Sequence, residues 1–164
     1  MAQTTYEQDI LGLLQRLGPD SLLGIGAAAA DLVQAFTGRH PERHGTELHV
    51  TEESAALDLP GPYDCVLVTD TLEHLPKHEA GILLSRLRDL YARYLLVAVK
   101  VGESEGGGTT RWSESELLAY GLRRLGRYGP VHVYAFDIYD YKLTPDWLNS
   151  KYWANPELFD KYWW

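Results

Sequence analysis

The sequence predicts an α/β fold: a three-layer sandwich in which a mostly parallel sheet lies between two layers of helices. Short apolar runs typical of buried strands alternate along the chain with segments whose apolar residues recur at helical spacing. The strand-like runs are nearly continuous in apolar residues, which indicates strands covered on both faces. The length of 164 residues favours one domain, which we place at residues 1–139, followed by an extension at residues 140–164.

Each element follows from a local pattern. Leucines and isoleucines at helical spacing predict helices that alternate with the strands, and glycine or proline marks most of the boundaries between them. The predicted strands lie at residues 21–25, 46–50, 64–69, 94–99 and 131–139, and the predicted helices at residues 5–17, 27–37, 77–91 and 112–125. We expect the strands at residues 21–25, 64–69, 94–99 and 131–139 to pair in a single, mostly parallel sheet.

The last predicted helix has a clear start signal. Ser113 and Glu116 have the spacing of a capping box, and Trp112 is placed to pack against Leu117. Apolar residues at helical spacing then extend the prediction to Gly126: Leu118, Leu122 and Leu125. Between residues 131 and 141 the sequence contains no turn signal, so we expect no β-hairpin there.

Charge and cysteine content exclude several classes of protein. Lysine and arginine number 15 against 23 aspartates and glutamates, a net charge of −8, which disfavours binding to nucleic acid or to anionic lipid. No apolar run approaches the ~20 residues that span a bilayer, and the first residues do not resemble a secretion signal. The one cysteine, Cys65, excludes an internal disulfide, and we expect a cytoplasmic protein.

Two glycines separate the first predicted strand from the helix that follows it. Gly24 and Gly26 permit a tight turn and the close approach of a ligand to the backbone. The N-terminus of the following helix offers N–H groups that the helix itself does not bind. Small residues at these positions equally suit close packing of the helix on the strand, so the pattern leaves both interpretations open.

A second group of polar residues follows the strand at residues 64–69. Asp70 comes directly after it, and Glu73 and His74 lie in the connection to the next helix. Ligands of such sheets bind outside the carboxyl ends of the strands, which makes Asp70 a candidate site residue. His74 is a candidate general base because imidazole titrates near neutral pH. The alternatives are a helix cap for Asp70 and a local packing role for His74.

The stretch from Leu57 to Val99 resembles the second half of a class I S-adenosylmethionine-dependent methyltransferase. Asp58-Leu59-Pro60, Tyr63-Asp64 and Leu72-Glu73-His74-Leu75 match the pattern of that family, and the resemblance covers about residues 5–138. It implies a Rossmann-like methyltransferase sheet and a site for S-adenosylmethionine.

The cofactor half of the resemblance departs from the family. At the position where the family has an acidic residue that positions the methionine end of the cofactor, this sequence has Gly24. Gly26 matches the first of three alternating glycines, and Ala28 and Ala30 replace the other two.

The adenosine side departs as well. For the acid that binds the ribose hydroxyls we assign Glu52, with Glu47 and Glu53 as alternatives, and Ala55 takes the place of the adenine-side acid. The stretch between Val50 and Asp58 is too short for the family's next helix and strand. The resemblance therefore implies weak or absent cofactor binding.

The spacing Asp70-x-x-Glu73-His74 also resembles the Glu-x-x-Glu-His metal motif of family members that methylate small RNAs or quinone precursors. Aspartate replaces the first ligand, and we assign no metal site.

Aromatic residues are concentrated in the last 26 residues, which hold nine of the 19 in the chain, including Trp147, Trp153, Trp163 and Trp164. This extension either covers the sheet edge in place of the family's last strand or forms a surface for a protein partner or a second copy.

Two functional hypotheses follow. In the first, the chain is a methyltransferase-like protein that has lost catalysis and acts as a binding or assembly module through its extension. In the second, it is an active methyltransferase on a small molecule or a protein, with Gly24, Gly26, Glu52 and Asp70 around the cofactor and His74 near the acceptor.

Overall fold

The computed structural model describes residues 6–48, 59, 61–102 and 110–138. They form a six-stranded sheet in the order β2-β1-β3-β4-β6-β5. The strands are β1 (Ser21–Ile25), β2 (His44–Leu48), β3 (Tyr63–Thr69), β4 (Ala92–Lys100), β5 (Arg123–Tyr128) and β6 (Val131–Asp137). The helices are α1 (Tyr6–Leu17), α2 (Ala27–Arg39), α3 (Lys77–Arg86) and α4 (Glu114–Ala119). A π-helical turn, Leu87–Tyr91, continues α3 to the start of β4.

The first four strands are parallel and β6 is antiparallel to β4, which confirms a single, mostly parallel sheet. β1 pairs with β2 on one side and with β3 on the other. The strand order therefore reverses between β1 and β3, and the carboxyl ends of these two strands border the crevice where sheets of this kind bind ligands.

Helices pack on both faces of the sheet, as the apolar patterns predict. Side chains of α1 and α2 share one core with Leu22 and Leu67, whereas α3 and Trp112 share the other core with Leu23 and Val66. Neighbouring strand residues alternate between the two cores because successive side chains of a strand point to opposite faces. The three-layer sandwich is confirmed.

The end of the described chain corrects the predicted length of the last helix. α4 ends at Ala119 rather than at Gly126, and residues 123–128 form strand β5. Gly121 follows the helix with a φ of 83°, a conformation that favours glycine and ends the helix. The helical spacing of the leucines was misleading, because Leu118 and Leu125 are exposed and Leu122 is buried.

β5 and β6 pair as an antiparallel hairpin through Gly129 and Pro130. This turn precedes residues 131–141, where we expected no hairpin, and the last three of those residues lie outside the described ones.

The short second strand lies at His44–Leu48, two residues before its predicted position, and it is the outermost strand of the described sheet on that side. Residues 49–58, with Glu52 and Ala55, lie outside the described residues, as do residue 139 and the extension at residues 140–164. Among the described helices, none has the length and apolar character needed to cross a membrane.

Candidate functional site

The candidate site lies at the carboxyl ends of β1 and β3, where the strand order reverses. Gly24 lies near the end of β1 and Gly26 follows that strand, whereas Thr69 ends β3 and Asp70 follows it. The two strands are direct neighbours. The structure thus brings three of the predicted site residues to one edge of the sheet. His74 follows in the connection from β3 to α3 and is exposed.

Helix α2 packs directly over Gly24. A Cβ atom at this position would lie 2.9 Å from the carbonyl oxygen of Ala29 and 2.9 Å from Cγ2 of Val33. Both distances are shorter than real Cβ atoms show, and the first neighbour is backbone that cannot move aside alone. The position where the methyltransferase family has an acid therefore has no room for a side chain.

Gly26 is held between the ends of two strands. Its N–H donates to the carbonyl of Leu48, which ends β2, at 3.2 Å, and a Cβ atom on Gly26 would overlap the carbonyl oxygen of Thr69. The φ of Gly26 is 103°, which L-residues rarely adopt. This glycine is required by the backbone contact with β3.

The residues that match the glycine-rich loop of the family belong here to a helix. α2 begins at Ala27, so Ala28 and Ala30 lie in its first turn. The N–H of Ala29 donates to the Thr69 hydroxyl at 2.8 Å in a buried hydrogen bond. This hydrogen bond joins the first turn of α2 to the end of β3.

Asp70 is exposed immediately past β3 and has a φ of 47°, the one positive φ among the described non-glycine residues. It does not cap the following helix, because the N-cap residue of α3 is Pro76. Asp70 is therefore an accessible carboxylate in an uncommon backbone conformation at the edge where ligands bind.

Glu73 and His74 point to different environments. The Glu73 side chain is 6% exposed, and its Oε1 accepts a hydrogen bond from the N–H of Lys100 at 2.8 Å. Its Oε2 is buried without a hydrogen-bond partner among the described residues.

Within the described part of the chain, no group of histidine, cysteine, aspartate and glutamate has the arrangement needed to hold a metal ion.

Contacts from Trp112 and Thr110 fasten this connection to the chain before α4. The indole N–H of Trp112 donates to the carbonyl of Leu72 at 3.1 Å, and the N–H of Thr110 donates to the carbonyl of Glu73 at 2.5 Å. The sequence pattern placed Trp112 against Leu117, and both side chains do lie in the same core. Its hydrogen bond to Leu72 has no signal in the sequence.

Tyr6, the first residue of α1, is influenced by the charges of the candidate site, which the sequence did not indicate. Burial raises the pKa of Tyr6 to about 12, and the negative charges of Asp70, Glu7 and Glu73 add to the shift. The Tyr6 ring packs edge-on against Tyr128 with 6.3 Å between ring centroids. The phenol of Tyr6 thus shares the electrostatic environment of the two motif carboxylates.

Comparison with solved structures identifies the fold. The chain is similar to the magnesium protoporphyrin IX methyltransferase ChlM of Synechocystis PCC 6803, solved with bound SAH, at 17% identity and a TM-score of 0.54, over 79% of this chain and 80% of that one. It is similar to the methyltransferase domain of bacterial CtHen1 at 12% identity and 0.52, over 81% of this chain and 97% of that one. TehB from Haemophilus influenzae matches at 12% identity and 0.57, over 78% and 60%.

At these identities the similarities show the fold alone, and it is the class I methyltransferase fold that the sequence resemblance implied. No curated protein matches the chain. A family model does match, over residues 4–164. The chain therefore belongs to a family of unknown function, DUF6231.

Proposed function

We propose that this chain is a methyltransferase-like protein with an eroded S-adenosylmethionine site that acts as a binding or assembly module. The observation that carries the proposal is the packing of α2 over Gly24, where the family has an acid. An acidic side chain could enter only if the helix moved away from β1.

The hydrogen bond between Ala29 and Thr69 supports the same conclusion. N–H groups in the first turn of a helix commonly bind anionic groups of ligands. In α2 the N–H of Ala29 is instead bound at 2.8 Å by a hydroxyl of the protein itself. A cofactor carboxylate that used the N–H of Ala29 would have to displace this buried hydrogen bond, which would weaken its binding.

Calorimetric titration with S-adenosylmethionine, and separately with S-adenosylhomocysteine, tests the proposal. We expect a Kd above ~100 μM, a binding free energy weaker than about −5.5 kcal/mol. The Thr69→Val variant removes the competing hydroxyl, and the wild-type protein is its reference. Saturable binding at low micromolar concentration would overturn the eroded-site proposal.

An active methyltransferase on a small molecule or protein is the second candidate function. Asp70 favours it, because this carboxylate is exposed at the crevice and adopts a φ of 47°. In this hypothesis the cofactor contacts four residues: Gly24, Gly26, Glu52 and Asp70. The exposed His74 accepts a proton near the methyl acceptor.

The test of this second function requires cofactor binding first. If binding is found, His74→Ala should lower methyl transfer by about 10²–10⁴-fold. His78→Ala is the matched control, because His78 is an exposed histidine in the first turn of α3. Equal activity of the two variants would exclude His74 as the base.

For the assembly role we propose that the extension binds a protein partner or a second copy through Trp147, Trp153, Trp163 and Trp164. Its support is compositional: large aromatic side chains supply much contact area at little entropic cost. Deletion of residues 145–164 should lower the melting temperature or dissociate an oligomer. A truncated protein with unchanged melting temperature and unchanged mass in solution would contradict self-association and packing on the domain.

We place the protein in the cytoplasm and expect no nucleic-acid partner. The single cysteine and the net charge of −8 support these two proposals. Cell fractionation and a DNA-binding assay at low salt test them; a periplasmic or membrane fraction, or binding to DNA, would overturn the corresponding one.

A further inference from the structure

A pocket of about 730 Å³ lies along helix α3, on the side of the helix that faces Tyr120. Two rows of α3 residues, each with a spacing of four, line it: Lys77, Gly81 and Ser85, and His78, Ile82 and Arg86. Tyr120, the C-cap residue of α4, lines the opposite side. None of the described residues of the cofactor crevice borders this pocket, so it is a separate site.

The size and charge of the pocket suit a small organic anion. Pockets for small molecules are usually of roughly 300–1,000 Å³. No aspartate or glutamate is found among the described residues that line it, although the chain carries a net charge of −8. Ile82 leaves 37% of its area exposed and provides an apolar wall. A ligand with a negative group and an apolar body therefore matches the lining.

Arg86 distinguishes this pocket from the rest of the described surface. Three of the described arginines are half-buried, namely Arg43, Arg86 and Arg88. Arg43 pairs with Asp20 and Arg88 pairs with Asp89, whereas Arg86 forms no ion pair or hydrogen bond with any described residue. A half-buried guanidinium loses part of its hydration, and here no acidic side chain compensates for that loss. Its planar N–H groups are free for two parallel hydrogen bonds to an oxyanion.

Two free hydroxyl groups lie close to Arg86 on the same side of α3. One belongs to Ser85, and the other is the phenol of Tyr120, which lies so close over Gly81 that a Cβ atom there would overlap it. Positions four residues apart are neighbours on a helix surface, so the phenol lies about one turn from Ser85. Neither hydroxyl has a hydrogen-bond partner in the part of the chain that the structure describes.

Tyr120 is held in place by contacts that leave its hydroxyl free. Nη1 of Arg88 donates to the carbonyl of Tyr120 at 2.6 Å, and the Tyr120 ring packs on Trp112 with 6.3 Å between centroids. Glycine in a helix interior weakens the helix, and Gly81 provides the room that the phenol occupies. The phenol is therefore positioned before a ligand arrives, which reduces the entropic cost of binding.

We propose that this pocket binds a small organic phosphate, with the phosphate group on Ser85, Arg86 and Tyr120 and the apolar body on Ile82. Three side chains with unused donors match the three terminal oxygens of a phosphate monoester better than the two oxygens of a carboxylate. The proposal goes beyond the function proposed above and does not depend on cofactor binding.

The other end of the pocket does not belong to the phosphate site. His78 precedes Arg86 by eight residues, which is about 12 Å along a helix. The ammonium group of Lys77 pairs with Glu116 at 2.8 Å and lies 4.2 Å from the centre of the Trp112 ring. Lys77 is therefore already bound within the protein.

Calorimetric titration of the full-length protein with phenyl phosphate at neutral pH tests the proposal. We expect saturable binding with a Kd below about 1 mM. Inorganic phosphate lacks the apolar body, and benzoate carries a carboxylate in place of the phosphate. Each should bind at least about tenfold more weakly than phenyl phosphate. Because S-adenosylmethionine is absent from these titrations, they test the pocket independently of the cofactor site.

Arg86→Gln should weaken the binding of phenyl phosphate about tenfold or more. Arg39→Gln is the matched control, because Arg39 is also the last residue of its helix and lacks a described partner, but it is exposed and lies outside the pocket. Both variants remove one positive charge, and Arg39→Gln should change the affinity by less than about twofold. Tyr120→Phe keeps the ring and should weaken binding about two- to tenfold. Circular dichroism of each variant confirms that the fold is retained.

The absence of saturable binding of phenyl phosphate would overturn the proposal. So would equal weakening by Arg86→Gln and Arg39→Gln, which would assign the binding to the overall charge. Benzoate that binds as tightly as phenyl phosphate would show a carboxylate site and overturn the choice of phosphate. Inorganic phosphate that binds as tightly as phenyl phosphate would overturn the role of Ile82 as a wall for an apolar body.

Discussion

The hydroxyl of Thr69 accepts a buried hydrogen bond from the backbone N–H of Ala29, at 2.8 Å, and so joins the end of β3 to the first turn of α2. The Gly26 backbone lies between these two elements, too close to Thr69 for a Cβ atom. The hydrogen bond and the close approach of Gly26 thus hold the ends of β1 and β3 and the start of α2 together where the strand order reverses.

Thr69→Val should destabilise the fold by about 1–3 kcal/mol, because it leaves the N–H of Ala29 buried without an acceptor. Valine has nearly the shape of threonine, so packing is preserved. The control is Thr37→Val: that hydroxyl donates to the Val33 carbonyl, and its loss leaves no N–H unpaired, so we expect a change within about 0.5 kcal/mol. Urea denaturation measures both; equal effects would contradict the special role of Thr69.

Gly26→Ala should cost about 2–5 kcal/mol, because a φ of 103° strains an L-residue and the methyl group overlaps the carbonyl of Thr69. Gly12→Ala is the matched control in the interior of α1, where a Cβ atom meets nothing within 4 Å. It should stabilise the protein by about 0.5–1 kcal/mol. Thermal denaturation compares the two, and a well-tolerated Gly26→Ala would show that the loop can move away from β3.

Glu73→Ala should destabilise the protein by about 1–3 kcal/mol, since the N–H of Lys100 loses its acceptor at the end of β4. Glu73→Gln keeps an oxygen acceptor and should recover most of this loss. Glu79→Ala, on the next helix, changes the same residue type at a partly exposed position and should stay within about 0.5 kcal/mol. If chemical denaturation shows that Glu73→Gln loses as much unfolding free energy as Glu73→Ala, the charge of Glu73 rather than its hydrogen bond accounts for the stabilisation.

Alkaline pH should weaken the fold through two tyrosines. The hydrogen bond to Asp9 and then burial raise the pKa of Tyr128 to about 12, and burial followed by nearby carboxylates raises that of Tyr6 to about 12. Because both values lie above the ordinary 10.0, the folded state favours the protonated phenols. Their contribution is complete below pH 10 and is lost as the pH rises through 12.

Denaturation midpoints measured from pH 10 to pH 12 should therefore fall, and Tyr128→Phe should show a smaller decrease than the wild type. If the denaturation midpoint of Tyr128→Phe falls with pH as steeply as that of the wild type, Tyr128 does not contribute to the alkaline loss of stability.

The sequence predicted most elements of the sheet because burial determines their composition. Residues 64–69 and 94–99 lie within β3 and β4 and are covered on both faces, so they had to be almost wholly apolar. The capping box at Ser113 and Glu116 was also predicted and formed, because its two hydrogen bonds are local. The continuation of α4 to Gly126 was wrong: Leu118, Leu122 and Leu125 have helical spacing, but Gly121 ends the helix and pairing with β6 makes the next segment a strand.

For the site, the sequence alone determined which residues stand at the positions that resemble the family's acid and two of its glycines, namely Gly24, Ala28 and Ala30. It also predicted the placement of Asp70 after a buried strand, which the structure confirms. It left open whether Gly24 and Gly26 admit a ligand or permit close packing.

Tertiary structure alone decided how close α2 lies to Gly24 and that the Thr69 hydroxyl accepts a hydrogen bond from the N–H of Ala29. It also decided that Glu73 accepts a hydrogen bond from the N–H of Lys100, and that the charges of Asp70 and Glu73 influence Tyr6. Each of these contacts joins residues that are distant in sequence or depends on the packing distance between a helix and a strand. Local spacing carries information on periodicity and burial, whereas the room left beside a backbone depends on how whole elements pack, and no single segment determines that.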